Sequence, residues 1–221
     1  MGERAILVTL GDRVDLTVNA RARRLAAAVE ALRATDPRFG RSVPAAASVL
    51  VPFDPLALDI DDAATIVERL ADEADSTVST EATDSEEEGL RPPPIDIDVR
   101  YGGPDGPDLA DVAAAHGLTA ADVVELHAGS IWTALFLGFA PGFAYLGPLP
   151  AELATPRRAT PRERVPTGSV AIGGDQTAVF PFAMPSGWQI IGRAEVSIWD
   201  LGRAQPNLIG PGDRVRFVPV R

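Results

Sequence analysis

The chain has 221 residues and a formal net charge of −11; it contains no cysteine, and all 20 of its basic residues are arginine. The missing cysteine excludes disulfides, thiolate metal sites and a cysteine nucleophile, and the missing lysine excludes a phosphate-binding P-loop. The negative charge argues against nonspecific nucleic-acid binding, which requires a basic surface. The sequence shows no apolar run long enough to span a membrane and no signal-peptide pattern, so we expect a cytoplasmic protein.

The acidic, lysine-free composition has two interpretations. It is typical of proteins kept soluble at high salt, where repulsion between like charges is screened, and so it favours a halophilic origin. A GC-rich genome produces the same preference for arginine over lysine. Two histidines are too few for a histidine-rich metal site, so the sequence predicts no metal.

The first 75 residues predict a small α+β domain. Two short strands, joined by a turn, are expected at residues 5–10 and 14–18. Asn19 is expected to cap the helix that follows, in which apolar residues recur at the helical period. This helix is predicted to end at Asp36-Pro37.

A third strand and a second helix complete the domain. Alternating apolar residues predict one strand over residues 43–53, and a helix with an apolar face is expected after Asp62. The order of strands and helices favours a sandwich of ferredoxin-like type.

Residues 76–94 are predicted to be an acidic, proline-rich linker. Residues 71–90 contain eight carboxylates and no basic residue, with Ser and Thr among them. Such a segment cannot bury apolar surface, although an acidic segment that docks a partner is the alternative. The first 90 residues contain 9 Arg and 18 acidic residues, whereas residues 91–221 contain 11 Arg and 13 acidic residues. An anion would therefore meet less repulsion in the second part.

Residues 95–221 predict a β-barrel domain. It begins with a strand at residues 95–99 and continues with a helix at residues 108–116. A second helix, capped by Thr119, reaches His127 in its last turn. Short, regularly spaced strands then indicate a closed or nearly closed barrel. These strands are expected at Ser169–Ile172, Ala178–Phe182, Trp188–Ile191, Glu195–Trp199 and Arg214–Val218.

Residues 135–164 combine an apolar loop with a basic run, and we expect the functional surface here. The loop contains Gly138, Phe139, Pro141, Gly142, Phe143 and Tyr145. The basic run contains Arg157, Arg158, Arg162 and Arg164, with prolines between them. Aromatic residues and glycines can wall a cleft, and guanidinium groups can bind a carboxylate or phosphate. The alternatives are a buried loop that packs on the barrel and arginines that form surface salt bridges.

Two further loops and one histidine are candidates for the site. Gln176 and Gln189 offer amide groups, and Gly187 precedes Trp188, whose ring offers a stacking surface. A simple hairpin turn is the alternative for the loop around Gln176. His127 is a candidate general acid or base, with a structural role as the alternative. No serine–histidine triad can be assigned, so the residues alone show no self-sufficient active site.

Six ordered motifs carry a resemblance to a known family. They are YGGPDGPDL, GLTAADVVELH, LGFAPGFAYLG, TPRRATPRERVPTGSVAIGGDQT, FPFAMPSGWQIIGR and PGDRVRFVPV. Together they resemble the family of 5-oxoprolinase B subunits, also called the KipI-like or allophanate hydrolase subunit 1 family. The resemblance, which is to subdomains C and D of the carboxyltransferase domain, implies an N-terminal α+β domain followed by a cyclophilin-like β-barrel.

The resemblance also implies partners and an activity. Such proteins act with the C and A subunits of 5-oxoprolinase to open pyroglutamate to glutamate, with ATP (and Mg) as co-substrate, and this chain alone is expected to be inactive. The residues that we expect to be catalytic are Arg158, Arg162 and His127, and the other candidates of the loops and the basic run would bind substrate or nucleotide. Two alternatives stay open: the carboxyltransferase part of a urea carboxylase, and an inhibitor of a histidine kinase.

Overall fold

The computed structural model describes residues 4–76 and 92–220. The chain divides into two compact units at residue 92. Most of the linker predicted at residues 76–94 lies outside the described residues, so the linker and the domain boundaries stay predictions. In the described part of the chain, no helix is both long and apolar enough to cross a membrane.

The first unit is a three-stranded antiparallel sheet with two helices. Its elements are β1 (Ala5–Thr9), α1 (Leu16–Arg33), β2 (Val43–Pro44), β3 (Ser48–Pro52) and α2 (Ile60–Ser76). The strands lie in the order β1-β3-β2. This order matches the first five elements of a ferredoxin-like arrangement. A completing strand would have to follow α2, where the residues lie outside the described part, so the ferredoxin-like assignment stays a prediction.

The predicted strand at residues 14–18 and the predicted cap at Asn19 are wrong. Helix α1 begins earlier, because the side chain of Asp15 accepts a hydrogen bond from the backbone N–H of Val18 at 2.8 Å. A carboxylate at this position satisfies one of the free N–H groups of the first turn. Asn19 is instead fully buried within the helix, where its Nδ2 donates to the carbonyl oxygen of Ala46 at 3.2 Å.

The single strand predicted at residues 43–53 is a hairpin of β2 and β3. Val43 pairs with Leu50 across it, and the backbone N–H of Ala45 donates to the carbonyl oxygen of Ser48 at 2.8 Å, which closes the turn. The predicted alternation within β3 is confirmed, because Val49 and Val51 are fully buried.

The second unit contains nine strands and two helices. The strands are β4 (Ile95–Tyr101), β5 (Ile131–Leu137), β6 (Ala144–Gly147), β7 (Arg162–Val165), β8 (Ser169–Gly173), β9 (Gln176–Val179), β10 (Met184–Ser186), β11 (Gln189–Ala194) and β12 (Arg214–Pro219). The helices are α3 (Leu109–Ala115) and α4 (Ala120–Ala128). Seven of the strands form a closed barrel, as predicted, in the order β11-β4-β12-β5-β6-β9-β8. The other two, β7 and β10, pair as a separate ribbon.

Two predictions for the second unit need correction. The apolar stretch that begins at residue 135 is largely strand: it continues β5, turns at residues 138–143 and forms β6. Its apolar side chains fill the barrel, and this outweighs the glycine signal for a loop. Residues 195–199 form no strand and make only one isolated bridge, between Trp199 and Asn207.

The loop that precedes α3 lies directly on β11. The backbone N–H of Gly102 donates to the carbonyl oxygen of Ile191 at 3.0 Å, and that of Asp108 donates to the carbonyl oxygen of Ile190 at 2.9 Å. Between them, a Cβ atom on Gly106 would lie 2.1 Å from the Ile191 carbonyl oxygen. Glycine is therefore required here, and this close contact determines where the side chain of Asp108 enters the structure.

We expect Gly106→Ala to lower the free energy of unfolding by about 2–4 kcal/mol, because its methyl group collides with backbone and not with a flexible side chain. Urea denaturation measures the change. The matched control is Gly138→Ala, since a Cβ atom there would meet nothing closer than 3.9 Å. Equal stability of the two variants would contradict the close packing of this loop.

Candidate functional site

The carboxylate of Asp108 binds two arginines of the basic run. Arg158 Nη1 donates to Oδ1 at 3.0 Å. Arg162 makes two bonds, from Nη1 to Oδ2 at 2.8 Å and from Nη2 to Oδ1 at 2.6 Å. The backbone N–H of Ile190 also donates to Oδ2, at 2.7 Å. The side chain of Asp108 is only 3% exposed, so this is a buried charge with full compensation.

Sequence reasoning missed this role of Asp108 and identified the residue only as the start of a helix. Its arginine partners lie 50 and 54 residues further along the chain. A lone carboxylate in a turn has no local signal that distinguishes it from a helix cap. The two arginines reach Asp108 because α3 and the basic run pack on the same part of β11.

The structure does not bring the four arginines together as one anion clamp. Arg158 and Arg162 face Asp108, Arg157 lies beside Trp188, and Arg164 lines a different cleft. Because Arg158 and Arg162 both bind the single carboxylate of Asp108, these two residues position the basic run. A catalytic role for them stays a prediction.

Most of the predicted aromatic residues line one cleft of about 260 Å³. We call it the aromatic cleft and define it by Phe139, Phe143, Tyr145, Arg157, Gly187 and Trp188. The prediction that the loop and the basic run share a surface therefore holds for Arg157. The backbone N–H of Arg158 donates to the carbonyl oxygen of Gly187 at 2.6 Å and joins the two sides of this region.

Phe143 is the centre of the aromatic packing. Its ring lies edge-on to Tyr145 at 4.9 Å between centroids and edge-on to Trp188 at 5.7 Å. The indole of Trp188 rests on Gly173, where a Cβ atom would come within 2.4 Å of the ring. Edge-to-face contacts of this kind add to the energy of burial and hold the rings in defined orientations.

Phe139 stands at the opening of the aromatic cleft. Its side chain is 69% exposed, and its backbone has a φ of +66°, a left-handed conformation that is uncommon for residues other than glycine. Strain of this kind is concentrated at ligand-binding and active sites. The turn that contains Gly138, Pro141 and Gly142 therefore presents Phe139 outward.

Two polar groups complete the aromatic cleft. The guanidinium of Arg157 lies 5.9 Å from the ring centroid of Trp188, within cation–π range. Burial raises the pKa of the Tyr145 hydroxyl, and the nearby charge of Arg157 opposes part of that shift. The hydroxyl of Tyr145 is therefore a neutral hydrogen-bond donor at neutral pH. Because Trp188 is only 4% exposed, such a cleft can hold a small ring among its aromatic side chains and a carboxylate on Arg157.

Several predicted residues lie outside the aromatic cleft. Gln189 uses its Nε2 to donate to the carbonyl oxygen of Pro156 at 3.1 Å, so it supports the basic run. Gln176 pairs with Gly173 in the hairpin of β8 and β9, which is the alternative that the sequence left open. Within the described residues, no group of three or more His, Asp or Glu side chains is placed to hold a metal ion.

The catalytic role predicted for His127 is incompatible with its position. The residue is fully buried, and its ring stacks on Phe217 at 4.5 Å between centroids. Nδ1 lies 2.7 Å from the Tyr101 hydroxyl, and Nε2 lies 2.9 Å from the Thr177 hydroxyl. Because the Thr177 hydroxyl donates to the Ala171 carbonyl oxygen, Nε2 is the protonated nitrogen. A substrate cannot reach this ring, so its role is structural.

The second unit is thus a closed barrel with an aromatic cleft, and comparisons place the whole chain in a family. Residues 1–209 match the model of the carboxyltransferase domain, subdomain C and D. The B subunit of the 5-oxoprolinase of Bacillus subtilis is 32% identical to this chain, and the match covers 100% of this chain and 91% of the length of that subunit. The chain therefore belongs to the carboxyltransferase-domain family of subdomains C and D.

Another relative is more similar over a shorter region. The B subunit of the 5-oxoprolinase of Escherichia coli O157:H7 is 57% identical over 61% of this chain and 62% of its own length. The chain thus spans less than two thirds of that relative. Among solved structures, TTHA0988 superposes with a TM-score of 0.80 and 33% identity over 99% of this chain and 40% of that one.

A more distant structure shares the fold alone. The urea carboxylase of Kluyveromyces lactis superposes with a TM-score of 0.74 at 19% identity, over 99% of this chain and 21% of that one. The closed barrel is therefore shown, whereas the finer assignment as cyclophilin-like stays a prediction.

We expect Asp108→Asn to lower the free energy of unfolding by about 2–3 kcal/mol, because it leaves two guanidinium groups without a counter-charge. The loss stays below that of a fully buried pair since Arg158 and Arg162 are 35% and 25% exposed and can turn towards water. Urea denaturation measures it. The control is Asp96→Asn, whose pair with Arg216 is exposed to water and should contribute far less. Similar losses in both variants would refute the central role of Asp108.

The lowered pKa of His127 predicts a loss of stability at acidic pH. Burial lowers its pKa to about 3, whereas in the unfolded chain it is about 6.5. As the pH falls through this window, only the unfolded state binds the proton, so stability decreases by up to about 1.4 kcal/mol per pH unit. In His127→Gln this contribution disappears, and the pH dependence of urea unfolding should be shallower. His116→Gln is the control for the loss of a histidine. If the pH dependence of urea unfolding in His127→Gln equals that of the wild type, His127 is not the group responsible.

Proposed function

We propose that this chain is a subunit of an ATP-dependent 5-oxoprolinase, which opens pyroglutamate to glutamate. One observation carries the proposal: the aromatic cleft places the charge of Arg157 beside the flat ring of Trp188. The family membership and the similarity to two 5-oxoprolinase B subunits support it.

The chemistry of pyroglutamate fits this cleft. The molecule is a five-membered lactam with one carboxylate, and the cleft has a volume of about 260 Å³. The carboxylate would bind Arg157 in a charge-assisted pair, while the lactam ring lies among the aromatic side chains of the cleft. The neutral hydroxyl of Tyr145 lines the same cleft and would donate to the lactam carbonyl.

The reaction requires more than this cleft provides. An unstrained lactam is a poor electrophile, and phosphorylation of its carbonyl oxygen by ATP would activate it towards water. The described residues contain no metal cluster, and the chain has no P-loop lysine or cysteine nucleophile. We therefore assign ATP (with Mg) to the assembled hetero-oligomeric enzyme. The C subunit of 5-oxoprolinase would complete the site, and the A subunit would be the third component in the cytoplasm.

The exposed side of the aromatic cleft is consistent with a shared site. Phe139 projects at the opening with 69% of its surface exposed, although it lies next to the buried Phe143. A partner that covered Phe139 would exclude water from the substrate, and water exclusion strengthens the pairing with Arg157. The alternatives of a urea-carboxylase part and a kinase inhibitor stay predictions.

We expect Arg157→Gln to lower kcat/KM for pyroglutamate about 10- to 100-fold in the reconstituted three-component enzyme, since a hydrogen bond to a charged group contributes about 1.5–3 kcal/mol. Turnover is measured as glutamate release with ATP. The matched control is Arg69→Gln, which removes the same charge from an exposed pair in the first unit and should retain activity.

Two results would overturn the proposal. The first is full ATP-dependent opening of pyroglutamate by the C and A subunits in the absence of this chain. The second is a wild-type kcat/KM in Arg157→Gln with unchanged stability, which would remove the aromatic cleft from substrate binding.

A further inference from the structure

The second unit has another cleft, of about 260 Å³, which the substrate binding proposed above does not use. We call it the arginine cleft and define it by Pro104, Arg162, Arg164, Pro166, Ser169 and Arg193. It has no lining residue in common with the aromatic cleft. Asp108 binds Arg162, which lines the arginine cleft, and Arg158, which follows Arg157 of the aromatic cleft.

The arginine cleft has an excess of positive charge. Around the cleft, Arg158 and Arg162 share the single carboxylate of Asp108. Arg100 is shared by Asp105 and Glu195. These three guanidinium groups and three carboxylates therefore balance each other. Among the described residues, Arg164 and Arg193 form no ion pair, and both side chains are exposed. Two uncompensated guanidinium groups in one concavity are unusual in a chain of net charge −11. They repel each other unless an anion lies between them.

The arrangement is built by the local structure. Arg162 and Arg164 both lie on β7 and both line the cleft, although a bulge interrupts the pairing of β7 with β10. Arg193 on β11 is the cross-strand partner of Ser169 on β8, so these side chains are neighbours. Prolines stiffen the wall because their φ is fixed, which reduces the entropy lost when a ligand orders the site.

We propose that the arginine cleft binds a phosphate group. Phosphate carries about two negative charges at neutral pH, which matches the two uncompensated guanidinium groups, whereas a carboxylate would balance only one. Guanidinium groups bind phosphate oxygens in bidentate fashion, and the hydroxyl of Ser169 supplies a further donor. The phosphate is either free inorganic phosphate or the terminal phosphate of a nucleotide.

If the ligand is a nucleotide, this site would serve the ATP of the proposed function, but its test is independent of that function, because binding can be measured on the full chain alone without any turnover. Isothermal titration calorimetry at low salt, with inorganic phosphate in one arm and ADP in the other, tests it. We expect one phosphate per chain with a dissociation constant of about 1 mM or lower, and an affinity that falls as salt is added. If ADP binds more tightly than phosphate, the source is a nucleotide; if it does not, the source is the free ion.

Variants assign the binding to the cleft. Arg164→Gln and Arg193→Gln should each weaken phosphate binding about tenfold or more, since each removes a charge-assisted pair. Arg69→Gln, in the first unit, controls for the loss of one positive charge, and Arg157→Gln controls for the aromatic cleft. Both controls should bind phosphate as the wild type does.

Three outcomes would overturn the proposal. The first is the absence of phosphate binding in the full chain. The second is an equal loss of affinity in Arg69→Gln, which would show only an effect of total charge. The third is a loss confined to Arg157→Gln, which would place the phosphate in the aromatic cleft.

Discussion

The pairing of buried Asp108 with two arginines is the interaction on which the functional surface depends. A carboxylate that is 3% exposed is stable only with full charge and hydrogen-bond compensation. Arg158 and Arg162 supply the charge, and the backbone N–H of Ile190 supplies a further hydrogen bond. Because all of these partners must be present together, the basic run cannot move independently of α3 and β11.

This constraint gives the four arginines three different tasks. The two that bind Asp108 fix the backbone between them and on either side. Arg157 is thereby placed beside Trp188, and Arg164 lines the arginine cleft together with Arg193. One buried carboxylate therefore positions cationic groups in two separate clefts, each suited to a different anion. A run of arginines in a sequence does not by itself show such a division, because the direction of each side chain depends on its tertiary partner.

The sequence predicted features whose causes are local and failed where the cause is distant. The cap of α4 by Thr119 forms as expected, and Asp122 completes a capping box, because both partners lie within one helical turn. The cap of α1 was misplaced since Asp15 and Asn19 are both good capping residues, and burial against Ala46 decides between them. The pairing of Asp108 was missed because 50 residues separate it from Arg158.

The closed barrel explains why the candidate chemistry lies at its surface. Its interior is filled with side chains, and even its most reactive group, His127, is held between Tyr101 and Thr177 with a lowered pKa. A neutral, fully bonded imidazole stabilises the fold but cannot exchange protons with a substrate. Binding groups therefore lie outside the barrel, where the basic run and Phe139 are accessible. Such a surface can orient a substrate, and a second protein surface is needed to enclose it, which is consistent with a role as one component of a larger enzyme.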